Sequence, residues 1–192
     1  FDGSLSLFPG DGSGAFGAPS IVPIGYGTLP NSLALGDLNE DGTPDLVTAA
    51  GSGNVAVLIG VGDGTFGSPI FQPAGTTTDA VALGDVNGDG DLDAVASNFG
   101  DANVNVLLGN GAGQLGTASP FVSGHANYAD ALGDLNGDGK LDVALAQGNV
   151  NQAARLLNTS AYTPKITVAP ASGATSGGTE FTITGTNFTG AT

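Results

Sequence analysis

Nine residues, Asp85-Val86-Asn87-Gly88-Asp89-Gly90-Asp91-Leu92-Asp93, hold four carboxylates and one amide with no Lys or Arg among them. Like charges at this density repel and make a folded loop unstable unless a cation fills it. The pattern is Asp-x-Asn-x-Asp-Gly-x-x-Asp, and it occurs three times. One copy is Asp37, Asn39, Asp41, Gly42, Asp45, the next Asp85, Asn87, Asp89, Gly90, Asp93, and the third Asp134, Asn136, Asp138, Gly139, Asp142. Hard oxygen ligands at alternate positions suit Ca²⁺, which takes about 6–8 oxygens. Alternation lets side chains 1, 3 and 5 converge from one curved backbone. Gly at position 6 permits the sharp turn. Position 7 is Thr43, Asp91 or Lys140, so it offers its backbone carbonyl rather than its side chain. Asp at position 9 closes the shell. The reading therefore expects three Ca²⁺ sites. The plainer alternative is an Asx-rich turn of solvated charge, which Asp, Asn and Gly form readily.

The loops are not complete EF-hands. Those carry Glu at position 12 and a helix on each side, whereas position 12 here is Thr48, Ala96 or Leu145. The flanks, such as Leu33-Ala34-Leu35-Gly36 and Leu46-Val47-Thr48-Ala49, are short and β-leaning, so the loops are expected to join strands.

The strands recur on the same period. Ser4–Gly10, Asn54–Gly60, Asn103–Gly109 and Gln152–Asn158 align, each alternating like a half-buried strand. A glycine-rich turn follows the first three, with Phe16, Phe66 or Leu115 expected to plug a gap under it. Asp63-Gly64 in that turn lacks alternating ligands and reads as a plain turn. Pro23 and Pro73 mark edge strands. The strand before each acidic loop carries Ala and Gly on one face, which allows close approach of neighbouring backbones. Asp130 departs from Leu33 and Val81 at the same position.

Units of about 49 residues with four strands and a glycine-rich turn describe propeller blades. The expected class is all-β: a partial β-propeller of about three to four four-stranded antiparallel blades over residues 1–158. The small-residue strand is innermost and the Pro-bearing strand outermost. Residues 159–164 read as a linker. Residues 165–192, with alternating Phe181-Thr182-Ile183-Thr184, read as the truncated start of a β-sandwich.

Composition narrows the function. Eighteen acids stand against three Lys and Arg, a formal net charge of −15. Three Ca²⁺ would bring six positive charges and leave −9. Such acidity disfavours nucleic acid and anionic membrane surfaces as partners. There is no Cys, and one His, His125, in a polar loop. No apolar run of membrane-spanning length and no Gly-x-Ser-x-Gly elbow occurs. The reading is of a non-enzyme, and of a fragment whose secretion signal lies upstream.

The acidic loops, together with Phe16-Gly17-Ala18-Pro19 and Phe66-Gly67-Ser68-Pro69, resemble the FG-GAP/VCBS repeats of integrin α-subunit propellers and many secreted bacterial proteins. The resemblance implies blades whose Ca²⁺ loop joins the first and second strands. The ligands it implies are the Asp and Asn residues above, with the carbonyls of Thr43, Asp91 and Lys140. Pro170, Gly173, Gly177-Gly178-Thr179 and Gly185-Thr186-Asn187-Phe188 are similar to the opening of IPT/TIG immunoglobulin-like domains. A calcium-stabilised extracellular adhesion or interaction module is the expected function, secreted or on a cell surface, with a protein or carbohydrate partner. A spacer or accessory region of a secreted enzyme is the alternative. Tyr26, Phe99 and Tyr128, on loops at the end of the blades away from the acidic loops, are the candidate ligand-binding residues.

Overall fold

A computed structural model describes residues 2–25, 27–148, 150–162, 166–169 and 182–185. Its strands form antiparallel sheets in chain order. Blade 1 is the pair β1 (Ser4–Leu7) and β2 (Ser20–Pro23). Blade 2 is the meander β3 (Ser32–Gly36), β4 (Asp45–Ala49), β5 (Asn54–Leu58) and β6 (Ile70–Pro73). Blade 3 repeats it with β7 (Thr78–Gly84), β8 (Asp93–Asn98), β9 (Asn103–Leu107) and β10 (Ser119–Val122). Blade 4 comprises β11 (Asn127–Gly133), β12 (Asp142–Gln147) and β13 (Gln152–Leu156). A further pair, β14 (Ile166–Ala169) and β15 (Thr182–Gly185), lies in the region expected to begin a sandwich, most of which falls outside the described residues.

The fold is thus all-β, with the propeller-like arrangement expected. Adjacent blades approach along their inner strands, β3 against β7 and β7 against β11. The Pro-bearing strands β6 and β10 stand at the outer edges, where a missing N–H disturbs no ladder.

One expectation is corrected. Alternation in Asn54–Leu58 suggested a half-buried strand, yet β5 is buried from Val55 to Leu58 and β4 throughout. A blade between two others has both faces covered, so small and apolar residues are needed on each. In β13, by contrast, Gln152, Ala153 and Arg155 are exposed.

Three apolar clusters join the blades. Val22, Ile24, Leu46 and Leu58 link blades 1 and 2, with Phe66 packed against them. Val47, Val57, Val81, Leu107 and Leu115 link blades 2 and 3. Val95, Val104, Val143 and Leu145 link blades 3 and 4. The turn residues Phe66 and Leu115 therefore plug the seam with the preceding blade rather than only the space under their own turn. The small-residue ends of the inner strands also have a physical cause. A Cβ on Gly36 would lie 2.6 Å from Leu92 Cδ1, and one on Gly84 would lie 2.7 Å from Leu141 Cδ1. Each Leu comes from the acidic loop of the following blade.

Asp130 interrupts this pattern. Val81, its counterpart, shares an apolar cluster with Ala49. At the next seam the corresponding residues are Asp130 and Ser97. Asp130 Oδ2 and Ser97 Oγ are buried and close no hydrogen bond. Burial pushes the Asp130 carboxyl up to about 6. An acid whose pKa is raised on folding costs stability once it ionises. Below about pH 4 both folded and unfolded forms are protonated and the cost vanishes. Between about pH 4 and 6 it grows, and above pH 6 it is complete. Asp130→Val is expected to stabilise the protein by about 1–3 kcal/mol at pH 7.5, reduced by partial solvent access. The gain should shrink as the pH falls to 4. Urea denaturation of both proteins at the two pH values checks this, and a gain independent of pH would contradict it.

Candidate functional site

Each acidic loop joins the first and second strands of its blade: β3 to β4, β7 to β8 and β11 to β12. Antiparallel pairing fixes the two ends. Gly36 sits opposite Asp45, Gly84 opposite Asp93 and Gly133 opposite Asp142. The glycines at position 6 take left-handed φ values of 85°, 94° and 82° at Gly42, Gly90 and Gly139, as the sharp turn requires. Position 4 is left-handed as well. Gly88 and Gly137 meet this freely, whereas Glu40 adopts φ 58°.

Positions 1, 3 and 5 fold into one repeated nest. Asp37 accepts the N–H of Asp41 (3.1 Å) and of Gly42 (2.8 Å). Asp85 accepts those of Asp89 (3.1 Å) and Gly90 (2.9 Å). Asp134 accepts those of Asp138 (3.2 Å) and Gly139 (2.9 Å). Asn39, Asn87 and Asn136 each accept the N–H of position 5 through Oδ1, at 3.2, 2.8 and 2.9 Å. Position 5 in turn accepts the N–H of position 7, at 2.7, 2.9 and 3.0 Å. These contacts draw the Asp134 carboxyl below the usual range, the Gly139 N–H contributing most. Asp41 is lowered too, first by the Asn39 amide.

In every loop the Asn amide nitrogen donates to the other oxygen of position 5. The distances are 2.8 Å for Asn39 to Asp41, 2.9 Å for Asn87 to Asp89 and 3.2 Å for Asn136 to Asp138. Among the described residues no three carboxylate or imidazole side chains are gathered as a metal-holding group. The donor chemistry nevertheless fits a hard cation. All the candidate ligands are oxygens, and each nest braces its carboxylates by N–H groups. Lys140 sends its ammonium out of the loop to the Ser160 carbonyl and over the Tyr162 ring. Its side chain takes no part in the loop. Asp63 is an Asx turn onto Thr65 and takes no part.

Position 9 differs from the rest of the loop. Asp45, Asp93 and Asp142 are fully buried. One oxygen of each accepts the N–H of loop position 2: Leu38 at 2.8 Å, Val86 at 2.9 Å and Leu135 at 3.0 Å. The other accepts an N–H just beyond the third strand: Gly60, Gly109 and Asn158, each at 2.8 Å. The residue read as closing a metal shell is in the structure a bridge between loop and sheet. Each oxygen keeps a second lone pair. Burial pushes Asp93 up to about 6 against its two N–H bonds, with Asp89 and Asp85 adding repulsion.

At the other end of the blades the structure brings Phe99 and Tyr128 together, with ring centroids 5.1 Å apart and planes tilted by 42°. They are 38 % and 53 % exposed. Tyr26, the third aromatic candidate, lies outside the described residues. Buried amides that the sequence reading passed over brace this end. Asn98 and Asn105 both donate to the Ala74 carbonyl, and Gln147 donates to Ser123. His125 is exposed and uses its carbonyl to accept the Ser123 hydroxyl.

A family profile described as an FG-GAP-like repeat matches residues 1–48 and 37–96, together half of the chain. The chain belongs to the FG-GAP-like repeat family. No curated protein sequence matches it. The two matched spans contain the first two acidic loops. The third lies beyond them, yet it makes the same nest and the same Asp142 bridge. Among the described residues no helix is long and apolar enough to cross a membrane.

Removing the bridge leaves buried N–H donors unpaired, each costing about 1–3 kcal/mol. Asp93→Ala is therefore expected to lower the unfolding free energy by about 2–4 kcal/mol, and Asp93→Asn by less because one acceptor oxygen remains. Urea denaturation measures both. A loss below about 0.5 kcal/mol for the Ala variant would deny the bridge its structural role.

Proposed function

We propose that the chain is a calcium-stabilised extracellular interaction module in which each acidic loop holds one Ca²⁺, three in all. The observation behind this reading is the nest of positions 1, 3 and 5, repeated in three loops, with two carboxylates and an amide in each. Asp37, Asn39, Asp41 and Asp45 with the Thr43 carbonyl would form one set. Asp85, Asn87, Asp89 and Asp93 with the Asp91 carbonyl form the second. Asp134, Asn136, Asp138 and Asp142 with the Lys140 carbonyl form the third. Three carboxylates against two positive charges leave each site near −1, so the ion relieves most of the repulsion. Affinities in the range of extracellular modules, on the order of 10⁻⁴–10⁻³ M, are met only where calcium is abundant.

A rigid fan of blades is a frame for loops, and recognition concentrates on such loops. Phe99 and Tyr128 would supply an aromatic contact for a protein or carbohydrate partner. The net charge of −15 speaks against nucleic acid.

Calorimetric titration of chelator-stripped protein is expected to give three Ca²⁺ per chain. Asp41→Ala, Asp89→Ala and Asp138→Ala should each remove one. Ca²⁺ at 100 times its dissociation constant should stabilise the folded form by about 2.7 kcal/mol per independent site. Unchanged stoichiometry in all three variants, or a melting temperature indifferent to Ca²⁺, would sink the proposal. For the partner face, the Phe99→Ala/Tyr128→Ala double variant should retain three Ca²⁺ and lose signal on a glycan or extracellular-protein array. Equal signal would remove that face from consideration.

A further inference from the structure

The third acidic loop differs from the other two at position 7. The two earlier nine-residue copies each carry four acids and no base, whereas Asp134–Asp142 carries three acids and Lys140. A loop read as the seat of a cation thus brings a cation of its own. The segment after β13 decides where that charge goes. The ammonium donates to the Ser160 carbonyl and stands 5.6 Å from the centroid of the Tyr162 ring. Tyr162 is half-buried, and its hydroxyl accepts the Leu141 N–H at 3.3 Å. Burial raises its phenol, and Asp85, Asp138 and Asp142 lie near enough to add to the rise.

Asn158 fastens the other end of this segment. Its N–H donates to Asp142 at 2.8 Å. Its Nδ2 donates to the carbonyls of Val86 (2.6 Å) and Leu141 (3.3 Å), and its Oδ1 accepts the Ser160 N–H (3.1 Å). Gly60 and Gly109, at the same place in the earlier blades, make the bond to position 9 but have no side chain for the others. Residues 158–162 therefore form a clasp on the third loop.

We propose that this clasp sets the calcium affinity of the third loop by holding the Lys140 ammonium away from the ion, so that docking of the clasp and filling of the loop favour each other. The proposal rests on the calcium reading of that loop. Two positive charges repel at short range. Lysine carries its charge on a flexible four-carbon stem. Released from Ser160 and Tyr162, it turns back among Asp134, Asp138 and Asp142 and competes for the same carboxylates. Seated in the clasp, it leaves them to the ion and is itself compensated by a carbonyl and a ring face. Such coupling is reciprocal: the factor by which the clasp tightens Ca²⁺ binding is the factor by which Ca²⁺ tightens the clasp. The first and second loops, with Thr43 and Asp91 at position 7, carry no ammonium there.

The test isolates the third loop within the whole 192-residue chain by Asp41→Ala and Asp89→Ala and titrates it with Ca²⁺ by calorimetry. Added Tyr162→Ala is expected to weaken binding about 5-fold or more. Lys140→Thr, which gives position 7 the side chain of the first loop, should leave binding at least as tight. In that background Tyr162→Ala should cost less than about 2-fold. A Tyr162 that merely supports the loop would cost the same in both backgrounds. Hydrogen exchange of the chain with all three loops intact supplies the reciprocal readout. Ca²⁺ should slow exchange over residues 158–162, Asp138→Ala should abolish the slowing, and Asp41→Ala should not. Binding indifferent to Tyr162→Ala, an equal loss in both backgrounds, or exchange at the clasp unmoved by Ca²⁺ would overturn the coupling and leave the calcium reading standing. Failure of the isolated loop to bind Ca²⁺ would overturn both.

Discussion

Every complete turn of this repeat rests on one buried carboxylate. The Asp at position 9 of each acidic loop holds the start of the loop with one oxygen and the chain beyond the third strand with the other. A hairpin loop alone would not fix where the third strand ends, and a sheet ladder alone would not fix how the loop closes. The bridge couples the two, so the nest of positions 1, 3 and 5 is held at a set height above the sheet. Burying a carboxylate is unfavourable unless its oxygens are bonded. In all three loops both oxygens are.

The seams between blades follow from the same economy of parts. An inner strand that ends on Gly lets the loop of the following blade press its Leu into the gap, as Leu92 does at Gly36 and Leu141 at Gly84. The glycine-rich turn then reaches back to plug the outer part of the seam. Each blade therefore needs its neighbours to bury its apolar surface, which is the general condition of repeat proteins. Beside the two-stranded blade 1 the inner strand of blade 2 is less covered: Leu33 and Leu35 are 51 % and 59 % exposed.

Departures from the repeat mark where the blades differ. Asp130 and Ser97 replace an apolar pair and leave two buried polar atoms without partners. Glu40 holds a left-handed backbone that glycine takes in the other loops. Asn158 stands where Gly60 and Gly109 stand in earlier blades. With its own N–H it keeps the bridge to the position 9 Asp, and with its side chain it adds a link to the preceding blade.

The sequence by itself determined the period, the strand order and the type of every loop, because those depend on local chemistry. Asx residues and glycine dictate turns, alternating apolar residues dictate strands, and a 49-residue repeat dictates stacked blades. The oxygen-rich character of positions 1, 3, 5 and 7 was legible for the same reason. The tertiary structure decided what depends on distance. It turned the position 9 Asp toward N–H groups up to 16 residues away. It buried both faces of β4 and β5 by placing a blade on either side. It set Phe99 beside Tyr128, 29 positions apart, and sent Phe66 and Leu115 into seams with blades that precede them. None of these contacts lies within the span over which neighbouring residues constrain one another, so packing alone could select them.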